Sequence, residues 1–286
     1  MITDVLRRFN RTWTQRVGVL DESFLGTGRP LAVSRLLFEI GAGDASVLAL
    51  RERLDLDSGH LSRMLRRLED DGLLTTQPDP GDRRRRVATL TAAGRAAYDD
   101  LERRSAERAE TLVAPLTSRQ QERLAEALAT ADLLVRAATV HLREVTAEAP
   151  EALVATGHYF AELDALFPAG FDPGPPVPEP DATWVVATSD GAPVAHGGIR
   201  PAPAVGPDAA EIKRMWVDST WRGAGLGSRM LRHLEDLARA KGHDRVVLDT
   251  NGQLRDAIAM YDRSGYCRIE RYNDNPHAEA FFEKDL

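Results

Sequence analysis

Cysteine is nearly missing from this chain of 286 residues: Cys267 is the only one. A single thiol excludes an intramolecular disulfide framework and a multi-cysteine metal site. Lysine is almost as scarce, at three against 34 arginines. No uncharged apolar run approaches the roughly 20 residues that a membrane-spanning helix needs. The opening Met1-Ile2-Thr3-Asp4-Val5-Leu6-Arg7-Arg8 has no apolar segment of the signal-peptide kind. The seven histidines are scattered without ligand spacing, so no metal site is expected. Together these absences predict a cytoplasmic protein with no membrane partner.

What is present suits ordinary globular folding. Apolar residues make up 43% and charged residues 28%. At about 100–200 residues per domain, the length favours two domains. Residues 1–140 carry 22 Arg against 21 Asp and Glu, a net charge of +1. Residues 141–286 carry 15 Lys and Arg against 23 Asp and Glu, a net charge of −8. The asymmetry suggests that the two parts meet different partners.

Residues 1–140 read as almost wholly helical, with apolar residues at three- and four-residue spacing over 3–19, 31–40, 46–54, 58–71, 91–114 and 117–139. Two strand-like runs, 73–76 and 87–90, flank strong turn chemistry and predict an inserted β-hairpin. In the helix near 58–71, Asp57 or Ser58 can cap the N-terminus. Leu61, Met64, Leu65 and Leu68 form its inward stripe. His60, Arg63 and Arg67 share the outer face, flanked by Ser62 and Arg66. Preceded by the helix over 46–54, this is a helix-turn-helix pattern, whose second helix can enter the DNA major groove. Arg83, Arg84, Arg85 and Arg86 then place four guanidiniums at the hairpin tip, suited to phosphates or a narrow minor groove.

The run Leu61-Ser62-Arg63-Met64-Leu65-Arg66-Arg67-Leu68-Glu69, then Asp71-Gly72-Leu73-Leu74, Asp82-Arg83-Arg84 and Leu90-Thr91-Ala92-Ala93-Gly94 resembles the MarR family of winged-helix regulators. The resemblance implies a mainly α winged helix-turn-helix domain over 1–140. It also implies a homodimer joined by the first and last helices, 3–19 and 91–139, and double-stranded DNA as partner. Ser58, His60, Ser62, Arg63 and Arg67, with the wing residues Asp82 to Arg86, are the candidate DNA-facing set. Asp82 would brace the wing while Arg84 reaches DNA.

Residues 141–286 alternate strands with helices, the pattern of an α/β layer architecture. Strands are predicted near 141–145, 183–188, 194–199, 211–217, 245–250, 266–271 and 279–284. Helices are predicted near 148–167, 225–241 and 255–264. Between a strand and a helix lies Met215-Trp216-Val217-Asp218-Ser219-Thr220-Trp221-Arg222-Gly223-Ala224-Gly225-Leu226-Gly227-Ser228. Free N–H groups at a helix start carry partial positive charge and suit a pyrophosphate. The glycine spacing is neither the dinucleotide fingerprint nor a P-loop.

Arg222-x-x-Gly225-x-Gly227, with Ala257-Ile258-Ala259-Met260-Tyr261-Asp262-Arg263-Ser264-Gly265-Tyr266, resembles the GNAT acetyltransferases. That resemblance implies a mixed-sheet α/β fold over 141–286, with acetyl-CoA as co-substrate and a small amine or amino acid as acceptor. It places cofactor contacts at Met215, Trp216, Val217, Arg222, Gly223, Ala224, Gly225, Leu226, Gly227 and Ser228. Leu254 stands where many members keep an Asn, so Asn251 nearby is the candidate amide contact. Tyr261 matches the acid for the leaving thiolate, and Glu211 a position where some members keep the base. Arg200, Lys213 and Arg214 are better read as structural than as substrate holders, and Cys267 as a small buried hydrophobe. The expected function is a bifunctional regulator and N-acetyltransferase. The alternative is a purely regulatory protein that senses acetyl-CoA or an amine without turnover.

Overall fold

The computed structural model describes all residues except 44–45, 80, 83–84, 169, 176–178, 180 and 190, and all their side chains but that of Glu52. The chain divides into two units, Met1–Ala125 and Glu126–Leu286.

Apolar periodicity makes the first unit helical. It contains α1 (Ile2–Arg16), α2 (Leu31–Ala42), α3 (Val47–Arg53), α4 (Ser58–Asp70), the antiparallel hairpin β1 (Leu74–Pro78) and β2 (Arg86–Leu90), and α5 (Ala92–Val113). Leu36, Leu37 and Ile40 of α2, Leu50 of α3, and Leu61, Met64, Leu65 and Leu68 of α4 close its core. Asp57 is the N-cap of α4: its carboxylate accepts from the His60 N–H at 2.8 Å. Gly72 leaves the helix at φ +69°, a conformation that suits glycine.

The join of hairpin to α5 explains the Thr91-x-x-Gly94 spacing. Thr91 Oγ1 accepts from the Gly94 N–H at 3.0 Å and donates to the Gly72 carbonyl at 2.7 Å. A Cβ on Gly94 would meet the Leu73 carbonyl oxygen at 1.8 Å. Only glycine fits there.

The helix α6 (Ser118–Thr139) spans the division between the units. The boundary expected near 140 coincides with the end of this helix, whereas the units part at 125/126. The physical reason is burial: Ala137 and Val140 pack into the core of the second unit.

That unit is built on a seven-stranded sheet of order β3-β4-β5-β6-β7-β9-β8. Its strands are β3 (Leu142–Val145), β4 (Thr183–Ser189), β5 (Ala192–Pro201), β6 (Ala209–Val217), β7 (Arg245–Thr250), β8 (Cys267–Arg268) and β9 (Ala280–Asp285). Among the described residues, only β6 and β7 pair in parallel. α7 (Pro150–Leu166), α8 (Leu226–Ala240) and α9 (Arg255–Arg263) complete it. Adjacent residues of β5 show that α7 and α8 cover opposite faces. His196 meets Thr156 of α7, and Gly197 lies against Leu234 of α8. The mixed sheet matches the expected architecture.

Two readings are corrected here. The strand expected over 266–271 shortens to Cys267–Arg268, because Arg271 turns its guanidinium to the carbonyls of Asn273, Asn275 and Ala278 and takes the chain into a loop. Cys267 is exposed rather than buried, since this two-residue edge strand has a single neighbour, β9.

Candidate functional site

β6 and β7 pair over Ala209–Glu211 and Arg245–Val247 and then part. Beyond that point β6 runs on to Val217 and β7 to Thr250, each with an edge the other does not fill. The parting coincides with a β-bulge. Gly198 faces Lys213 but His196 faces Trp216, so β6 carries one extra residue. Arg214 sits in it at φ +51°, a conformation rare for a side chain of this size. Met215, Trp216 and Val217 follow the bulge along the opened edge.

A tight turn then leads into α8. Gly223 and Gly225 have φ of +81° and +80°, and open space lies where their Cβ atoms would stand. Gly225 is the N-cap of α8, whose first N–H groups at Leu226, Gly227 and Ser228 lack intrahelical partners. Gly227 keeps contact with Met260 and Val217, where a Cβ would come within 3.3 Å of the Met260 sulfur. Arg222 turns back on the loop. Its Nε donates to the Val217 carbonyl at 3.0 Å, and its Nη2 pairs with Glu162 of α7. Glu162 also accepts from Trp216 Nε1 at 3.0 Å. Glu162 thus ties α7 to both ends of the turn.

At the point of parting sits a half-buried network of alternating charge, with Glu211 buried at its centre. Arg214 Nη2 pairs with Glu179 at 3.2 Å, and Arg200 bridges Glu179 and Glu211 at 2.6 Å each. Lys213 Nζ stands 3.4 Å from both Glu211 and Asp249. Tyr272 and Asn273 donate to Glu211 Oε1, and Asn273 and Asn275 donate to Asp249 Oδ2. Three cations and three carboxylates balance. Burial alone would raise the Asp249 carboxyl, but Lys213 and the two amides outweigh it and hold it below its usual value. Burial, then Glu211, pushes the Tyr272 hydroxyl well above its ordinary range. Arg200, Lys213 and Arg214 therefore spend their charge inside the protein.

Tyr261 is 5% exposed, its ring against Tyr266 and Phe282 with centroids 5.7 Å away in each case. Burial first, then Tyr159 and Asp249, pushes its hydroxyl well above the ordinary tyrosine value. Burial likewise pushes Tyr159 of α7 up to about 12. Asn251 ties the β7–α9 loop to the segment before β9: Nδ2 donates to the His277 carbonyl at 2.8 Å, and Oδ1 accepts from the Gln253 N–H. Glu211, Lys213 and Tyr272 stand together at the β6–β7 fork. Arg222 to Ser228 stand at the far end of β6, where it leads into α8.

Asp249, Glu162 and Glu179 are site residues that sequence reasoning passed over. Asp249 had a signal: a carboxylate inside the apolar strand Arg245-Val246-Val247-Leu248-Asp249-Thr250 needs partners wherever it is buried. Glu179 had none, since it lies in a Pro-rich loop.

In the first unit, Ser58, His60, Ser62, Arg63 and Arg67 are exposed on one side of α4, opposite the buried leucines. Arg85 and Arg86 are exposed at the hairpin. Arg85 lies 3.5 Å from Asp82, and Arg86 Nη2 donates to the Thr76 carbonyl at 3.4 Å. Arg83 and Arg84 lie outside the described residues.

Comparison with known proteins places both parts. Residues 145–266 match the acetyltransferase (GNAT) family, and residues 27–85 match the MarR family. An IAA acetyltransferase of Azospirillum brasilense is 36% identical over 113 residues, 38% of this chain and 71% of that protein. The N-alpha-acetyltransferase RimI of Mycobacterium tuberculosis is 32% identical over 130 residues, 42% of this chain and 80% of that protein. The crystal structure of wild-type MarR from E. coli in its apo form aligns with 45% of this chain and 94% of its own, at 24% identity and a TM-score of 0.38. The opened β6–β7 edge, the glycine turn and the acetyltransferase matches establish that the chain belongs to the GNAT acetyltransferases, acyl-CoA-dependent acyltransferases, with a MarR-matching helix-turn-helix segment at residues 27–85 ahead of that fold.

Proposed function

We propose that this chain transfers the acetyl group of acetyl-CoA to a small amine or amino acid, and that it binds double-stranded DNA as a cytoplasmic homodimer. The observation that carries the enzymatic reading is the parting of β6 and β7 beside the turn at Gly223 and Gly225. A long thioester fits such an arrangement. The main chain of Met215 and Val217, flanking Trp216 along the opened edge, suits an amide-bearing arm. The N–H groups from Gly223 through Ala224, Gly225, Leu226 and Gly227 to Ser228 suit a pyrophosphate, which the helix start favours electrostatically. Arg222 holds the turn in shape from behind. Asn251 steadies the β7–α9 loop next to it.

Acetyl-CoA, when bound, supplies a thioester that an uncharged amine can attack. The chain must therefore remove a proton from the acceptor and return one to the sulfur. Glu211 takes the acceptor proton through Tyr272, since Arg200, Lys213, Tyr272 and Asn273 already ring its carboxylate. As the amine gives its proton to the Tyr272 oxygen, Tyr272 passes its own to Glu211. Tyr261, kept protonated by burial, holds a proton for the departing sulfur.

The DNA reading rests on the outward face of α4. His60, Arg63 and Arg67, with Ser58 and Ser62 beside them, have the spacing of a recognition helix. Arg85 and Arg86, with Arg83 and Arg84, would contact the backbone from the wing, which Asp82 would brace. The dimer reading rests on α1, which buries none of its residues and exposes Ile2, Val5, Leu6, Phe9 and Trp13, and on Leu134 and Val135 of α6. Apolar stripes of this kind are what a second copy covers.

Free-thiol release from acetyl-CoA, measured with pooled amino acids, amines and polyamines, tests the enzymatic reading. Release that requires one pool and falls in Tyr261→Phe supports it. No release from any pool, with acetyl-CoA still bound, replaces it by the sensing regulator.

A further inference from the structure

We propose that the flank of α8 facing β3 is a second anion site, built for phosphate, free or carried on a small metabolite. A cavity of about 470 Å³ lies there, lined by His141, Leu142, Arg229, Arg232, His233 and Asp236. Its size falls within the range of small-molecule sites. Four of the six lining side chains carry N–H donors, and the two guanidiniums are always charged.

Three details make this more than a basic surface. Among the described residues, the buried Nε2 atom of His233, a residue of the lining, has no hydrogen-bond partner. Arg229 is held in place: Nη1 donates to the Ala137 carbonyl at 2.8 Å and to the Ala138 carbonyl at 3.4 Å, near the end of α6. Its remaining N–H groups have no hydrogen-bond partner among the described residues, and the residue lines the cavity. Asp236, the one carboxylate in the lining, is already paired with Arg239 at 2.8 Å. The lining therefore keeps a positive balance. Guanidiniums match phosphate oxygens in geometry as well as charge. Among the described residues no group of three His, Cys, Asp or Glu could hold a metal ion, and two guanidiniums would repel one.

The site is separate from the acyl-CoA cleft. Gly227 faces Val217 and Met260, and Glu235 accepts from Tyr266, so this side of α8 looks toward the end of β6 and toward α9. Arg229, Arg232, His233 and Asp236 recur at i, i+3, i+4 and i+7 and form a stripe on the other flank. Inorganic phosphate would fill only a small part of the volume. The cavity therefore fits a phosphoryl group on a small metabolite better than the free ion.

Calorimetric titration of the full chain with glycerol 3-phosphate and with inorganic phosphate tests the site, each in the absence and presence of saturating CoA. The expected result is saturable binding, one site per chain, unchanged by CoA and tighter for glycerol 3-phosphate. Equal affinity for the two probes would assign the site to free phosphate. Arg232→Ala, at an exposed position, should weaken binding about tenfold or more, and Arg232→Lys should restore part of it. The imidazole signals of His233 should move during the titration. The proposal falls if neither probe saturates, if CoA abolishes binding, or if Arg232→Ala and the His233 signals show no effect. Loss of binding with CoA present would mean that phosphate was reading the glycine turn.

Discussion

Arg200 closes on one oxygen of Glu211: Nε and Nη2 lie 2.7 Å and 2.6 Å from Oε2. That leaves Oε1 for Lys213, Tyr272 and Asn273. Glu211→Gln keeps the shape but removes the charge that Arg200 and Lys213 share. Loss of the base should lower kcat by about 10²–10⁴ with little change in the KM for acetyl-CoA. Breaking the ion pair from one side should also cost stability, less than the roughly 3–5 kcal/mol of a fully buried pair because Arg200 is 35% exposed. Steady-state kinetics and thermal unfolding of the same sample separate the two effects. An unchanged kcat would remove Glu211 from the proton path.

Tyr261 differs from Glu211 in that its ring contacts, with Tyr266 and Phe282, do not depend on its polar atom. Tyr261→Phe retains the contacts with Tyr266 and Phe282 and should leave the unfolding temperature nearly unchanged. Its kcat should fall by about 10²-fold if the hydroxyl protonates the leaving sulfur. An acceptor-independent loss of acetyl-CoA binding would show instead that the ring shapes the cleft.

Gly94 offers a test confined to the first unit. A methyl group there has to displace the Leu73 carbonyl, which accepts from the Thr91 N–H at 3.0 Å. Gly94→Ala should destabilise this unit by about 1–3 kcal/mol or more. Acyl transfer should persist in the second unit. Differential scanning calorimetry would show the first transition moving down while activity is retained.

These examples show where the sequence was informative. Thr91 and Gly94, or Gly223 and Gly225, are local: backbone conformation and a neighbouring carbonyl decide them, and a short motif records both. The order of helices and strands followed from periodicity for the same reason. The charge network was not legible, because it joins β5, β6, β7 and two loops. Glu179 reaches Arg200 across 21 positions and Asn273 reaches Glu211 across 62. Cys267 was misread because its small apolar character says nothing of whether its strand lies at an edge. The division inside α6 was hidden by a helix that runs on without a break.

The outward face of α4 predicts two separable activities. Arg63 and Arg67 are exposed, and the residues that α4 buries are Leu61, Met64, Leu65 and Leu68. Arg67→Ala should weaken specific DNA binding by about 1–3 kcal/mol if it reads a base edge. If Arg67 meets a phosphate, binding should weaken evenly across sequences and the salt slope should fall by about one. Electrophoretic shifts at several salt concentrations distinguish the two, with acetyl transfer unchanged in both. DNA binding equal to wild type would exclude this face of α4.

His196 gives the second unit an acid limit. It is buried in β5, stacked on Trp184 with centroids 5.2 Å apart, with Nδ1 3.2 Å from the Val185 carbonyl and Nε2 3.3 Å from Thr156 Oγ1. Burial is the main cause that pushes it down to about 4, against the Val185 carbonyl, which favours the proton. The unfolded chain, with an ordinary imidazole near 6.5, binds more protons than the folded one between the two values. Stability from this group is therefore fully present above about pH 6.5 and is lost as the pH falls toward 4. The shift corresponds to about 3 kcal/mol. Urea unfolding followed from pH 7 to pH 4 should show that loss in wild type. His196→Asn, which retains a donor for Val185 but cannot titrate, should start lower and decline less steeply. Parallel slopes for the two proteins would place the acid sensitivity elsewhere.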